Sequence, residues 1–109
     1  MKRIQRKRKK GWKLPENTVY VGRPTKFGNP FLVSEFGAEK AVEMYRECIL
    51  NNAMVYTHID EIMASILFDR FKWISENLSL LKGKDLVCFC KLNNPCHADV
   101  LIELCNKKT

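Results

Sequence analysis

Long apolar runs are missing from this chain. None approaches the ~18 residues that a membrane-crossing helix needs, and no apolar stretch opens the sequence. The first absence excludes a helical membrane span. The second predicts that there is no signal peptide, so the chain is expected to work in the cytoplasm, that of the host cell if a phage encodes it. Disulfides do not persist there, and an odd count of five cysteines agrees with that. Acidic residues are missing from positions 1–13. Internal repeats and low-complexity linkers are missing as well. Neither G-x-G-x-x-G nor a Walker loop is present, which removes the two commonest glycine-built phosphate cradles.

What is present is 109 residues with ordinary hydrophobic content, 46%. That length corresponds to one domain, spanning 1–109, able to bury roughly two thirds of its unfolded surface without staples. Of 19 Lys and Arg, eight fall in residues 1–13: Lys2, Arg3, Arg6, Lys7, Arg8, Lys9, Lys10 and Lys13. The remainder holds 11 basic against 12 acidic groups, a net of −1, so the whole excess charge sits at one end. Such a run is either a nucleic-acid arm, a solvated tail, or an ordered segment whose arginines line an anion site.

Thr18-Val19-Tyr20-Val21 is β-branched and aromatic, ends at Gly22, and reads as a short buried strand. GRPTKFGNPF follows, with turn chemistry throughout. Ser34 is placed to cap a helix, and Ala38, Ala41, Met44, Tyr45, Cys48 and Ile49 recur at helical steps until Asn51 and Asn52. Thr57 offers a second cap, and the stripe Ile59, Ile62, Met63, Ile66, Leu67, Phe71, Ile74, Leu78 predicts a long helix stopping at Gly83. Leu86 to Cys90 reads as a second buried strand. Pro95 then leads into a last helix with Val100, Leu101 and Leu104 inward. Strands alternating with helices predict a small α/β domain with a mainly parallel, Rossmann-like sheet and flanking helices. Ligands in such sheets bind beyond the carboxyl ends of the strands. The two loops leaving strand ends, Gly22–Phe31 and Lys91–Cys96, would face each other across one crevice.

The densest reactive stretch is CFCKLNNPCHADVL. Pro95 suits a helix start, which places Cys96 and His97 in or just before the first turn, where free N–H groups and the helix dipole favour an anion. A thiol there has a depressed pKa. His97 is a candidate proton-transfer group, and Asp99 either caps the helix or orients His97. Cys88, Cys90, Cys96 and His97 also form C-x-C-x5-C-H, a zinc donor set in kind, although not a common finger spacing. Against zinc, Cys88 and Cys90 on one strand face equally read as small core residues, and adjacent helical residues point about 100° apart. No cofactor is expected unless this set takes zinc. In the first loop, Arg23 and Lys26 supply charge, Phe27 a ring face for a base or sugar, and Gly28 room for close approach.

The segments RIQRKRKKGW, VYVGRPTKFGNPF and LKGKDLVCFCKLNNPCHADVL together resemble the phage- and bacteria-borne family known as domain of unknown function 4326. Its hallmarks are a basic opening with Gly-Trp, a GRP-x-K-[WF]-GNPF loop and a C-[WF]-C…CH-x-D ending. Phe27 and Phe89 stand where the family usually has Trp. The resemblance implies that Arg6 and Arg8 belong to the domain, and it implies no activity. It marks Arg6, Arg8, Trp12, Arg23, Lys26, Asn29, Cys96, His97 and Asp99 as site residues.

Three functions are then in competition. The first is binding of a phosphate-bearing nucleotide or nucleotide-derived small molecule, in a phage setting a signalling nucleotide to be sequestered. The second is an enzyme on the same ligands, a hydrolase or glycosyl-transferring activity using His97, Cys96 and Asp99. The third is a nucleic-acid or host-protein module led by residues 1–13. No membrane partner is expected, and a homodimer that completes a shared site is the mild expectation for a small binder.

Overall fold

The computed structural model describes residues 1–51 and 61–107. Its centre is a three-stranded sheet, all parallel, in the order β1-β3-β2. The strands are β1 (Arg3–Gln5), β2 (Thr18–Tyr20) and β3 (Asp85–Cys88). Leu86, Val87 and Cys88 are all buried, as a strand paired on both edges and covered on both faces must be. That is why this segment is an unbroken apolar run in the sequence.

The two edge strands hold on differently. β2 adds apolar weight through Val19 and the fully buried Val21, whose N–H donates to the Val87 carbonyl at 2.9 Å. β1 has only Ile4, and it is fixed mainly by its ladder. Arg3, Ile4 and Gln5 pair with Leu86, Val87 and Cys88, the Leu86 N–H donates to the Lys2 carbonyl at 2.8 Å, and the Arg6 N–H donates to the Cys88 carbonyl at 2.8 Å. The Lys2 N–H adds a bond to the Asp85 carboxylate at 2.9 Å. The basic opening is thus part of the sheet. Residues 6–17 join β1 to β2 without a helix, whereas the crossover from β2 to β3 is helical.

Four helices complete the domain: α1 (Val33–Phe36), α2 (Ala38–Asn51), α3 (Glu61–Glu76) and α4 (His97–Lys107). Ser34 does not cap, because it lies inside α1. Gly37, at φ 82°, ends that turn and lets the chain restart as α2. The predicted stripe of α2 holds, with Ala41, Tyr45, Cys48 and Ile49 buried. The long stripe of α3 holds only in its second half. Leu67, Phe71 and Ile74 are buried, but Ile62, Met63 and Ile66 are 76%, 46% and 54% exposed. In the first two turns of α3, then, helical periodicity marks no buried face. α3 ends at Glu76. One turn of 3-10 helix (Leu78–Leu80) and Gly83, at φ 82°, then bring the chain to β3. The expectations at Asn52, Thr57 and Ile59 lie outside the described residues.

The core sits between the sheet and the helices, centred on Tyr45, Phe71, Ile74, Leu86 and Leu101. Phe71 stacks on Phe31, ring centroids 6.0 Å apart, and takes Tyr45 edge-on at 5.5 Å. The Tyr45 hydroxyl donates to the Phe27 carbonyl at 2.7 Å, which anchors the first loop to α2 from below. Burial holds the Tyr45 phenol well above its ordinary pKa, so this donor stays protonated. Tyr45→Phe keeps the shape and orphans a buried carbonyl. Urea denaturation is expected to show a loss of about 1–3 kcal/mol.

Candidate functional site

Because β2 and β3 are parallel neighbours, their carboxyl ends open at one edge of the sheet, and the two loops leaving them meet there. Gly22 and Arg23 come off β2, Phe89 and Cys90 come off β3, and Pro95, Cys96 and His97 lead into α4. Together with Arg8, Tyr20, Asn29 and Phe31 they line a partly open crevice of ≈ 230 Å³.

Its rim is cationic and aromatic. The Arg6 guanidinium lies over the Tyr20 ring at 4.8 Å and the Phe89 ring at 5.0 Å, and Arg8 lies over Phe89 at 4.9 Å. Tyr20 and Phe89 meet edge to face at 6.0 Å. Such stacking contributes ~0.5–1 kcal/mol per pair at an exposed site and, more usefully here, fixes where each guanidinium points. Arg23 is exposed at the same rim. Among the described residues, no carboxylate pairs with Arg6, Arg8 or Arg23; the ion pairs are Arg3–Asp99, Arg46–Glu103 and Lys107–Glu103.

Tyr20 is held in place by its hydroxyl, which donates to the Arg23 carbonyl at 2.8 Å as the ring folds over Gly22. A Cβ at Gly22 would sit 2.5 Å from the Tyr20 oxygen, so glycine here makes room for the ring. Gly28 has a comparable task and not the expected one. A Cβ there would come within 2.9–3.1 Å of Arg23, two of the three nearest atoms being backbone, so Gly28 serves loop packing and not ligand approach.

The floor is a cluster of sulfur and imidazole. The Cys88 and Cys90 sulfurs are 3.7 Å apart, and the Cys96 sulfur is 3.7 Å from His97 Nδ1. The ligand atoms of Cys88, Cys96 and His97 all lie within 4.8 Å of one another. Cys88, Cys96 and His97 are buried, and Cys90 is half-buried towards the crevice. His97 Nε2 lies 2.8 Å from the Val21 carbonyl, which can only accept, so Nε2 carries the proton and Nδ1 presents its lone pair to the sulfurs. Hydrogen bonds from Cys90 and then Cys96 pull the Cys88 thiol far below the usual thiol range against the opposing effect of burial. The same sharing pushes Cys90 and Cys96 upward. The expected depressed pKa at Cys96 therefore belongs to Cys88 instead. The other two cysteines are different in kind: Cys48 and Cys105 are buried in the inner faces of α2 and α4, as their helical stripes predicted.

Several residues expected at the site lie elsewhere. Phe27 is 6% exposed and packs on Trp73 at 5.0 Å. It offers no ring face to a ligand, because the apolar side chain is drawn into the core along with the buried Gly28 and Asn29 that follow it. Lys26 Nζ sits over the Trp73 ring at 5.0 Å, on a separate hollow shared with Asp69 and Arg70. Trp12 is half-buried on the turn where its N–H donates to the Lys9 carbonyl at 3.0 Å, outside the crevice lining. Asn29 does line the crevice, but its amide is engaged. Nδ2 donates to the Ala41 carbonyl at 3.0 Å, and Oδ1 accepts from the Phe31 N–H at 2.9 Å.

Asp99 neither caps α4 nor orients His97. Its carboxylate lies 3.3 Å from Arg3 Nη1. That buried nitrogen has no hydrogen-bond partner among the described residues, so its tie to Asp99 is one of charge. Arg3 Nη2 donates to the Lys91 and Leu92 carbonyls at 3.2 and 2.6 Å. Arg3 thereby fastens β1 to the Lys91–Cys96 loop and to α4. Nothing in the sequence distinguished Arg3 from its basic neighbours. Tyr20 and Phe89 were visible only as strand residues, and their place at the rim follows from strand pairing.

Fold and site together define a small α/β domain with a parallel sheet, carrying an arginine-rimmed crevice over a cysteine–histidine cluster. The chain belongs to the family described as Domain of unknown function (DUF4326), whose model matches residues 4–107, nearly the whole length. No curated protein and no solved structure matches it.

Proposed function

We propose that this protein binds a small phosphate-bearing ligand of nucleotide type in the crevice at the carboxyl ends of β2 and β3, the position ligands take in Rossmann-like sheets. The observation that carries the reading is the rim: Arg6, Arg8 and Arg23 stand at one opening with no described carboxylate to neutralise them, two of them held by ring stacking. An anion supplies the missing charge, and a guanidinium fork matches phosphate oxygens bidentately.

The crevice volume, ≈ 230 Å³, is below the ~300 Å³ at which pockets begin to enclose drug-sized ligands. A phosphate with its sugar fits, and the base extends towards solvent. Tyr20 and Phe89 already carry guanidiniums, so recognition rests on phosphate more than on base stacking. Isothermal titration of the full chain with mono-, di- and cyclic nucleotides, beside the matching nucleosides, tests this. Phosphorylated members are expected to bind and the bare nucleosides not. Equal binding by nucleosides, or silence across the whole panel, removes the proposal.

Binding without turnover is favoured over the enzyme reading by two contacts. Asp99 is spent on Arg3, and His97 Nε2 is spent on the Val21 carbonyl, which leaves the imidazole only its sulfur-facing nitrogen. The cluster beneath the crevice acts as a floor compatible with zinc and not as a nucleophile. The basic opening serves the crevice and the sheet rather than a free nucleic-acid arm, since Arg3 and Arg6 are tied to β3 and its loop.

A further inference from the structure

We propose that Cys88, Cys90, Cys96 and His97 hold one zinc ion that clips the end of β3 to the start of α4. A tetrahedron with ~2.3 Å Zn–S and ~2.0 Å Zn–N bonds has S···S edges of about 3.8 Å and S···N edges of about 3.5 Å. Two of the edges, Cys88–Cys90 and Cys96–His97, are both 3.7 Å, and the donor atoms of Cys96 and His97 lie within 4.8 Å of the Cys88 sulfur. Unrelated core thiols have no reason to gather this closely: three donors lie within 4.8 Å of one another, and the fourth, Cys90, is 3.7 Å from Cys88. Cys48 and Cys105, each in its own helical stripe, show what packing alone does with a thiol in this chain.

The shell behind the donors is also built. A ligating histidine usually donates its far N–H to a carbonyl or carboxylate, which fixes the ring and its tautomer, and His97 does so to Val21 at 2.8 Å. Donor softness selects among metals: three thiols and one imidazole suit zinc and reject calcium and magnesium, which take oxygen. Four protein donors close the coordination sphere, so the ion is structural. The apparent obstacle, that neighbours on a helix diverge by about 100°, does not apply, because Cys96 precedes α4, which begins at His97.

On binding, the thiols yield their protons to solvent and the ion gains three thiolates and a neutral imidazole, a complex of net charge −1. Affinity therefore falls as pH falls. The loop between Cys90 and Cys96 is closed by the clip, and Arg3 grips the same loop from outside through the Lys91 and Leu92 carbonyls. The inference stands independently of what the crevice binds.

The test uses the full chain without a histidine tag, purified under reducing conditions without chelator. Elemental analysis is expected to find about one zinc per chain. After acid stripping, titration with Co(II) is expected to give a thiolate-to-cobalt charge-transfer band and the intense ligand-field bands of tetrahedral geometry. Cys90→Ser, at the half-buried donor, is expected to fold, to lower the charge-transfer intensity by about one third, and to weaken zinc binding. Cys88→Ser and His97→Gln are expected to lose the tetrahedral spectrum, and Cys48→Ser is expected to keep it. Wild-type chain that takes up neither offered zinc nor cobalt, cobalt bound without a charge-transfer band, or a Cys90→Ser spectrum identical to wild type would each overturn the assignment. The wild-type measurement decides the matter even if a buried variant fails to fold.

Discussion

Replacing Arg8 and Arg23 together with alanine is expected to abolish nucleotide binding while leaving the unfolding transition almost where it was. Hydrogen bonds to charged groups contribute about 1.5–3 kcal/mol each, so the double variant loses about 3–6 kcal/mol of affinity, roughly 10²- to 10⁴-fold. Both side chains are exposed at the rim and pair with no described carboxylate. Among the described residues, the folding contribution at risk is the stacking of Arg8 on Phe89, ~0.5–1 kcal/mol. Arg23→Lys keeps the charge and loses the fork, and an intermediate affinity is expected from it. Because the rim is open to solvent, binding by the wild type is also expected to weaken with added salt. Titration of the double variant beside a thermal melt checks both halves. Wild-type affinity in the double variant ends the crevice reading, and it leaves the zinc assignment untouched.

Phe71→Ala is expected to be the most destabilising single substitution in α3, at about 3–5 kcal/mol. The ring is fully buried and packs against both the first loop, through Phe31, and α2, through Tyr45. Truncation leaves a cavity that the sheet behind it cannot close, since close-packed interiors relax only partly. Domains of this size are stable by ~5–15 kcal/mol, so the variant is expected to lose roughly a fifth of its margin or more. Phe68→Ala, three residues earlier on the exposed side of α3, is the control, with an expected change within about 1 kcal/mol. Urea denaturation of both variants gives the comparison. Equal costs would mean that the buried face of α3 has been wrongly placed.

Much of the site was legible in local chemistry, and the failures share a cause. The turn after Gly22 and the helix start after Pro95 were readable because glycine and proline restrict the backbone wherever they occur. That these two loops face each other followed from parallel pairing. What could not be read was the direction of each side chain once the loops were packed. Phe27, read as a loop ring open to a ligand, is buried on Trp73, whereas Phe89, read as part of a buried strand, lies at the rim under two arginines. The difference lies in the neighbours that tertiary packing supplies. Asp99 similarly carries the sequence signature of a helix cap, and it is claimed by an arginine 96 positions earlier in the chain, from 3 to 99.

By itself, then, the amino-acid order determined an α/β domain, a strand read at Leu86–Cys90, two turn-rich loops leaving strand ends, and the thiol and imidazole donors between residues 88 and 97. These depend on periodicity, turn residues and ligand chemistry, all of which act over a few positions. Tertiary structure alone decided that Arg3–Gln5 is a strand, which arginines reach the crevice, and that Cys88, Cys96 and His97 converge with Cys90 beside them. β1 has one apolar residue and no propensity of its own to speak of. It exists because β3, some eighty residues later, offers an unpaired edge of N–H and C=O groups, and backbone hydrogen bonding of that kind has no signature in the sequence.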